Sequence, residues 1–376
     1  MRQESGDASL LRRLNSAAIL RILRGGEVVT LTELARAARV SRPTAEGIVE
    51  DLLAKRWAEE CEGESADRQR GRPARRFRFH GSAGHVIGVD VGGYKLLAVT
   101  ADLNGRILAT RRVTVSPDLP ADERIAAVAA LVEESVVDKE KLAAVAIGTT
   151  GVVDGAGRVV KSVAIPGWTG VDLQAGLAAL LPVPVLVEND MRLAVLAEHW
   201  RGVAEGYRDV VYLFTGNRIG LGLLIGGRLH RGSHAASGEI GDQPSGYRLA
   251  FRNVIDYAMS ADPGELRSPR QSAEFAVGRA RAGDEEAARA VEAFAFRLAE
   301  GLVTIVNPLD PELVVVGGSL SQAGSLLVEP IQRHLNRVTL YPPEVVASRL
   351  GNESVALGAV RLALDHLDRT LFTPAS

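Results

Sequence analysis

The sequence predicts a mixed α/β protein in two parts, a small helical head followed by a larger α/β body. Three observations carry that expectation. Apolar residues recur at helical spacing through roughly the first fifty positions. From Val86 onward, short apolar runs of strand length alternate with helical stretches, and several of them end in glycine. The charge also changes sign: up to His85 there are sixteen Lys and Arg against twelve Asp and Glu, and beyond it 28 against 34. We place the boundary so that the head covers residues 1–84 and the body residues 85–376.

With 376 residues and 46% hydrophobic content, the chain has the material for two or three domains. No apolar run reaches the roughly 18 residues of a membrane span, and the first thirty residues are too charged for a secretory signal. A cytoplasmic protein with no membrane partner is expected. The single cysteine, Cys61, excludes an intramolecular disulfide and any multi-cysteine zinc site. His230 and His234 stand four apart, but among Gly and Ser, which reads as a loop and not as a ligand pair.

Helix one is predicted from Leu10, Leu11, Leu14, Ala18, Ile19, Ile22 and Leu23. After Gly25-Gly26, Thr30 and Glu33 form a capping box for a short second helix carrying Leu31, Leu34, Ala35 and Ala38. Ser41 caps a third helix, with Pro43 in its first turn and Ile48, Val49, Leu52 and Leu53 on its buried face. This is the pattern of a helix-turn-helix. It puts Ser41, Arg42, Thr44, Ala45 and Glu46 at the exposed start of the third helix, where base edges in a major groove would be read.

Two short strands, Trp57 to Cys61 and Arg76 to Phe79, then flank a polar loop and make a wing. Arg68, Arg70, Arg72, Arg75, Arg76 and Arg78 fall within eleven positions, as in a phosphate-contacting arm. Inside the loop, Arg70-Gly71-Arg72-Pro73 resembles the core of an AT-hook, whose arginines lie in a narrow A·T-rich minor groove.

The body opens with the buried-strand run VIGVDV, Val86 to Val91, then Gly92-Gly93 and a second strand, Lys95 to Asp102. Asp90 and the paired glycines stand where an actin-like or hexokinase-like fold keeps phosphates and their metal ion, although a lone DxGG is more often a plain hairpin turn. Further strands follow at Ala143 to Gly148, Val183 to Val187 and Leu313 to Val316. Glu188-Asn189-Asp190, Gly216-Asn217-Arg218, Gly238-Glu239-Ile240-Gly241 and Gly317-Gly318 each lie just after a strand, where ligands gather in α/β folds.

In this order the stretches DVGGYKL, IPGW, VENDMRLAVLAEHW, TGNRIGLGLLIGGRLHRGSHAASGEIG and NPLDPELVVVGGSL resemble the ROK family of repressors, open-reading-frame proteins and sugar kinases. With the winged head in front, the chain is similar to that family's transcriptional regulators over nearly its whole length. The resemblance implies a two-lobed, actin-like and hexokinase-like (ribonuclease H-like) body with a sugar site in the cleft. Asn189 and Asp190 match the family's sugar-binding pair, with Asp190 at the general-base position of the kinases, and Glu239 matches a further sugar ligand. Carboxylates and amides suit sugars because each can pair with vicinal hydroxyls. Asn189 or Asp190 also suits the cap of the following helix.

Four departures bear on function. The family's glycine-threonine-glycine phosphate loop is Gly216-Asn217-Arg218 here, where a side chain crowds the backbone approach and any positive φ would be strained. Tyr94 replaces a small hydroxyl residue, and its ring is expected to fill space that phosphates need. Asp242 replaces a zinc-binding histidine. The cysteine-rich zinc motif is absent, since Gln243 to Ser260 holds no cysteine, so the loop beside the sugar is expected to be held by packing alone.

The sequence therefore predicts a non-enzymatic regulator, a repressor of carbohydrate genes. It would be a homodimer on a double-stranded operator with a sugar effector, no cofactor and no bound metal. Asn189, Asp190, Glu239 and Asp242 form the expected sugar site. Asp90, Gly92, Gly93, Tyr94, Gly216, Asn217, Arg218, Gly317 and Gly318 form the remains of a nucleotide site. The alternatives are a sugar kinase with a regulatory head and a regulator that has lost its ligand.

Overall fold

The computed structural model describes residues 4–61, 75–240 and 247–372. The chain begins with α1 (Glu4–Arg24), a two-residue strand β1 (Val29–Thr30), α2 (Leu31–Ala37), α3 (Arg42–Ala54), β2 (Ala58–Cys61) and β3 (Arg76–Phe79). The capping signals act as the sequence predicts. The Thr30 hydroxyl accepts from the Glu33 amide at 3.3 Å while the Glu33 carboxylate accepts from the Thr30 amide at 2.7 Å, and Ser41 accepts from the Thr44 amide at 3.2 Å. The wing has three antiparallel strands in the order β1-β3-β2, not two, because Val29 and Thr30 pair with Phe77 and Arg76.

One expectation for the head is corrected. Ala45 is fully buried beside Ile48, Val49 and Leu52, so it belongs to the core side of α3 and not to its exposed start. The spacing explains this, since residue 45 lies three and four positions before Ile48 and Val49 and so on their stripe. Arg70, Gly71 and Arg72 lie outside the described residues.

The first lobe of the body contains β4 (His85–Val91), β5 (Lys95–Asp102), β6 (Ile107–Thr114), α4 (Ala121–Ser135), β7 (Leu142–Thr149), the small pair β8 (Val152–Val153) and β9 (Val159–Lys161), α5 (Leu173–Ala178) and β10 (Val185–Asn189). Then α6 (Asp190–Arg201) leads to the second lobe. That lobe has β11 (Val210–Thr215), β12 (Ile219–Ile225), β13 (Arg228–Leu229), α7 (Arg252–Ala261), α8 (Pro269–Arg281), α9 (Glu285–Leu309), β14 (Leu313–Gly317), α10 (Ser325–Val338) and β15 (Glu344–Ala347), and α11 (Ser354–Phe372) closes the chain.

The two lobes repeat one topology. The first sheet runs β10-β7-β4-β5-β6 and the second β15-β14-β11-β12-β13. In each, the first three strands form an antiparallel meander, the fourth pairs parallel with the first, and the fifth pairs parallel with the fourth. This duplicated, doubly covered α/β arrangement is the two-lobed fold expected from the sequence. It makes the β4–β5 turn (Gly92-Gly93-Tyr94) and the β11–β12 turn (Gly216-Asn217-Arg218) counterparts.

Between the lobes, α6 and α11 cross at very close range. A Cβ on Gly358 would collide with the Leu193 carbonyl, one on Gly222 with the Met191 carbonyl and one on Gly88 with the Ala356 carbonyl. Glycine at 358, 222 and 88 is thus what lets α6, α11, β12 and β4 sit backbone to backbone. The head joins this layer directly. One apolar cluster runs from Ile19, Leu23, Leu34, Ile48 and Phe77 through Phe79 and Val86 to Val360, Ala363 and Leu367. At its edge, Arg24 pairs with Asp368 at 2.9 Å and lies 5.1 Å from the Phe79 ring centroid.

Candidate functional site: an interlobe cleft and an exposed helix start

Parallel strands deliver the cleft residues. Asp90 on β4 and Glu188 on β10 both lie in register with Gly148 on β7, so the carboxyl ends of three adjacent strands converge on one place. Asn189 follows as the cap of α6. Its side-chain oxygen accepts from the Met191 and Arg192 amides at 3.0 and 3.1 Å, and its amide nitrogen donates to the Gly151 carbonyl at 2.9 Å and to Asp190 at 3.1 Å. The amide is thus engaged as cap and cross-link, and Asp190 is what it presents to the cleft.

Asp190 is half-buried, and its carboxyl is pushed up to about 8, first by burial and then by the negative charges of Asp90 and Glu239. Near neutral pH this carboxyl holds a proton and can donate a hydrogen bond. Asp90 is held differently: burial raises its pKa as well, but Lys95 Nζ stands 3.0 Å away and opposes the shift. Lys95 also donates to the Asn352 carbonyl of the second lobe at 3.3 Å. Glu239, on the far side, is exposed, and Asp242 lies outside the described residues.

The counterpart turns carry the departures from a phosphate cradle. Thr215 pairs with Ile219, so Gly216-Asn217-Arg218 forms a three-residue hairpin turn, with the Gly216 amide donating to the Arg218 carbonyl at 3.1 Å. Asn217 and Arg218 are exposed, and neither adopts a positive φ. Arg218 instead reaches across the cleft, where its guanidinium donates to the Val163 carbonyl of the first lobe. Tyr94, in the first turn, is 66% exposed.

Gly317 and Gly318 have packing reasons of their own. A side chain at 317 would collide with the Tyr212 phenol, and one at 318, where φ is +84°, with the Thr215 carbonyl. The Thr215 hydroxyl fixes this corner by donating to the Gly317 carbonyl at 2.8 Å.

Two arginine clusters were not singled out from the sequence. Arg124, fully buried on α4, donates to the Gly92 carbonyl at 2.9 Å and the Ser116 carbonyl at 2.8 Å and so holds the first turn. Its signal was present, since 124 lies on the same helical stripe as Val128, Leu131, Val132 and Ser135. The second set lies beside the expected sugar residues, ahead of Asp242. Glu188, 4% exposed, binds Arg192 and Arg231 at 2.6 Å each, and Arg192 also donates to the Ala235 carbonyl. An ion-pair network thus ties the 230–240 segment to the start of α6. Among the described residues no group of three or more His, Cys, Asp or Glu could hold a metal ion.

In the head, Ser41, Arg42, Thr44 and Glu46 are exposed at the start of α3. Arg75, expected to face DNA, is held by Glu60 at 2.8 Å and Glu50 at 2.6 Å and lies over the Phe77 ring. These pairs raise its pKa further above the ordinary arginine range. No helix among the described residues is long and apolar enough to cross a membrane.

Comparisons with known proteins agree with this architecture. A glucokinase of Streptomyces coelicolor is 29% identical over 314 residues, covering 74% of this chain and 98% of that protein. A xylose repressor of Bacillus spizizenii is 23% identical over 378 residues, covering 96% and 97%. Among solved structures, a ROK family transcriptional regulator, described as a homolog of the E. coli MLC protein, superposes with a TM-score of 0.78 at 20% identity over 96% of this chain and 98% of that one. A Streptomyces griseus ROK glucokinase in complex with glucose and AMPPNP superposes with a TM-score of 0.64 at 28% identity, covering 75% and 100%. The ROK family profile matches residues 86–249 and 262–366, starting one residue into β4 and ending within α11, and the chain belongs to the ROK family.

Proposed function

We propose that the protein is a sugar-responsive transcriptional repressor whose kinase-like body binds an effector without phosphorylating it. The head, residues 1–84, would bind a double-stranded operator, and the body, residues 85–376, would sense a sugar and form the homodimer that places two heads on a pseudo-palindrome. The observation that carries the non-enzymatic reading is the second turn. Arg218 projects over the place where a phosphate loop offers bare backbone amides, and it is engaged with Val163 on the opposite lobe. The repressor reading draws on the xylose repressor, which matches head and body together.

The sugar would lie against Asp190, Glu239 and Asp242, with Asn189 ordering α6 beneath it. A protonated Asp190 would donate to a sugar oxygen while the other carboxylates accept from hydroxyls. Effector binding would bias the angle between the lobes and hence the spacing of the two heads. The wing residues Arg70 and Arg72 would enter an A·T-rich minor groove, so Arg70→Ala with Arg72→Ala should weaken sites with A·T-rich flanks more than those with G·C-rich flanks.

A sugar kinase with a regulatory head is the second reading, favoured by Asp90 and Asp190 and by the 29% identity to a glucokinase. One panel separates the two. Sugars and sugar phosphates are screened by thermal shift, and each stabilising sugar is incubated with Mg-ATP and assayed for ADP release. Stabilisation without ADP release supports the repressor. ADP release that disappears in Asp190→Ala overturns it.

A further inference from the structure

Resting on the reading of the body as a kinase-like scaffold that transfers no phosphate, we propose that Phe214 is the residue that shuts the nucleotide place, and that the place remains built beneath its ring. Arg218 covers the second turn from outside. Phe214 fills it from within.

The strand pairing sets where the ring stands. Phe214 lies one residue before the end of β11, opposite Gly220 on β12 and Gly317 on β14. Strand partners share a face of the sheet, and Gly220 marks which face this is, because a Cβ there would come 3.0 Å from Cγ of Met191 on α6. Phe214 therefore stands on the side of the second sheet where Asp190 starts α6. It is half-buried and packs against the apolar layer that holds α6 and α11.

Glycine on both neighbouring strands leaves the ring without flanking side chains, and its tip lies over two corners of the backbone. A Cβ on Gly216 would fall 2.7 Å from Cε1 and 2.8 Å from Cζ of Phe214, and one on Gly318 would fall 2.9 Å from Cε2. A glycine corner suits phosphate because the missing side chain lets the ligand approach the backbone closely. At both corners that approach is taken by ring carbon. The ring gives an anion no hydrogen bond, and its face carries partial negative charge.

The backbone under the ring keeps its form. The Thr215 hydroxyl donates to the Gly317 carbonyl at 2.8 Å, and Gly318 keeps a φ of +84°. Ser319, next in the chain, supplies an independent sign of a ligand place. Its hydroxyl oxygen is buried and has no hydrogen-bond partner among the described residues. Buried polar atoms are ordinarily paired, and an orphan beside two glycine corners is what a lost ligand leaves behind.

The test is titration of Mg-ADP into the full-length protein, read by calorimetry and by thermal shift, for wild type, Arg218→Gly, Phe214→Leu and the double variant. Leucine keeps the apolar stem and lacks Cε1, Cζ and Cε2, the atoms that meet the glycines. Phe214→Ala is run beside it, and circular dichroism shows which variants are folded. Wild type and Arg218→Gly should give no heat and no shift. The Phe214 variants should bind, with a melting temperature raised by about 2 °C at roughly ten times the Kd. Binding by Arg218→Gly with Phe214 in place, or no binding by any folded Phe214 variant, overturns the inference and leaves the non-enzymatic reading intact. Binding of Mg-ADP by wild type overturns it too, and release of ADP from ATP in the presence of a sugar takes the reading of the body with it.

Discussion

Arg192→Met tests how the loop beside the sugar site is held. Arg192 is 1% exposed and Glu188 4%, so the substitution removes one partner of a buried ion pair while sparing most of the apolar stem. Breaking such a pair typically costs about 3–5 kcal/mol, because the remaining charge stays out of water without its partner. Two features place this case at the lower end. Glu188 keeps Arg231 and the Asn189 amide, at 2.6 and 2.8 Å, and the Arg192 Nε finds no acceptor among the described residues. We expect a loss of about 3 kcal/mol in urea unfolding followed by circular dichroism. Arg231→Met removes a side chain that is 48% exposed and should cost about 1 kcal/mol or less. Adding Glu188→Gln to Arg192→Met should recover part of the loss. A cost for Arg192→Met under about 1 kcal/mol, or equal costs at the two arginines, would refute the network as the brace.

Three further outcomes follow from the geometry. Asp190 binds its proton more tightly folded than unfolded, so stability is full below about pH 4 and falls as pH rises toward about 8. Asp190→Asn should accordingly melt level with wild type at pH 4 and above it at pH 9, and parallel curves across that range would contradict the assigned cause. Gly358→Ala forces a methyl group into the Leu193 carbonyl and should yield poorly folded protein by circular dichroism, whereas an unchanged melting temperature would show that α6 and α11 can separate freely. Asp368→Ala leaves Arg24, 14% exposed, without its partner and should cost about 2 kcal/mol in urea unfolding, a loss that Arg24→Met should relieve when added to it.

Much of the head was legible because its signals are local. Thr30 with Glu33 and Ser41 with Thr44 are short-range partners, and each marks the helix start that the structure contains. The motif residues of the cleft were legible one by one because each follows a strand. What they do was less so. That the Asn189 amide is tied up by the Gly151 carbonyl, that Arg218 finds Val163, and that Gly317 makes room for Tyr212 all depend on contacts between segments far apart in sequence. Some misses were of period and not of distance. Ala45 and Arg124 both sit on stripes that the apolar spacing already defines, but a small residue and a charged one do not announce burial. The doubling of the lobe topology was hidden too, because β6 is exposed along its whole length and β13 has only two residues.

The apolar cluster that runs unbroken from α1 and α3 into α11 has a mechanical consequence. A head on a slack tether would keep its own orientation whatever the body did. Here Phe77 and Phe79 of the wing share a core with Val360 and Leu367, so the head follows α11 as a fixed outrigger. If the protein acts as the proposed dimer on DNA, a change of a few degrees between the lobes would then be magnified by the length of that arm before it reached the duplex, and small movements in the cleft would suffice to take two heads out of step with the DNA helical repeat.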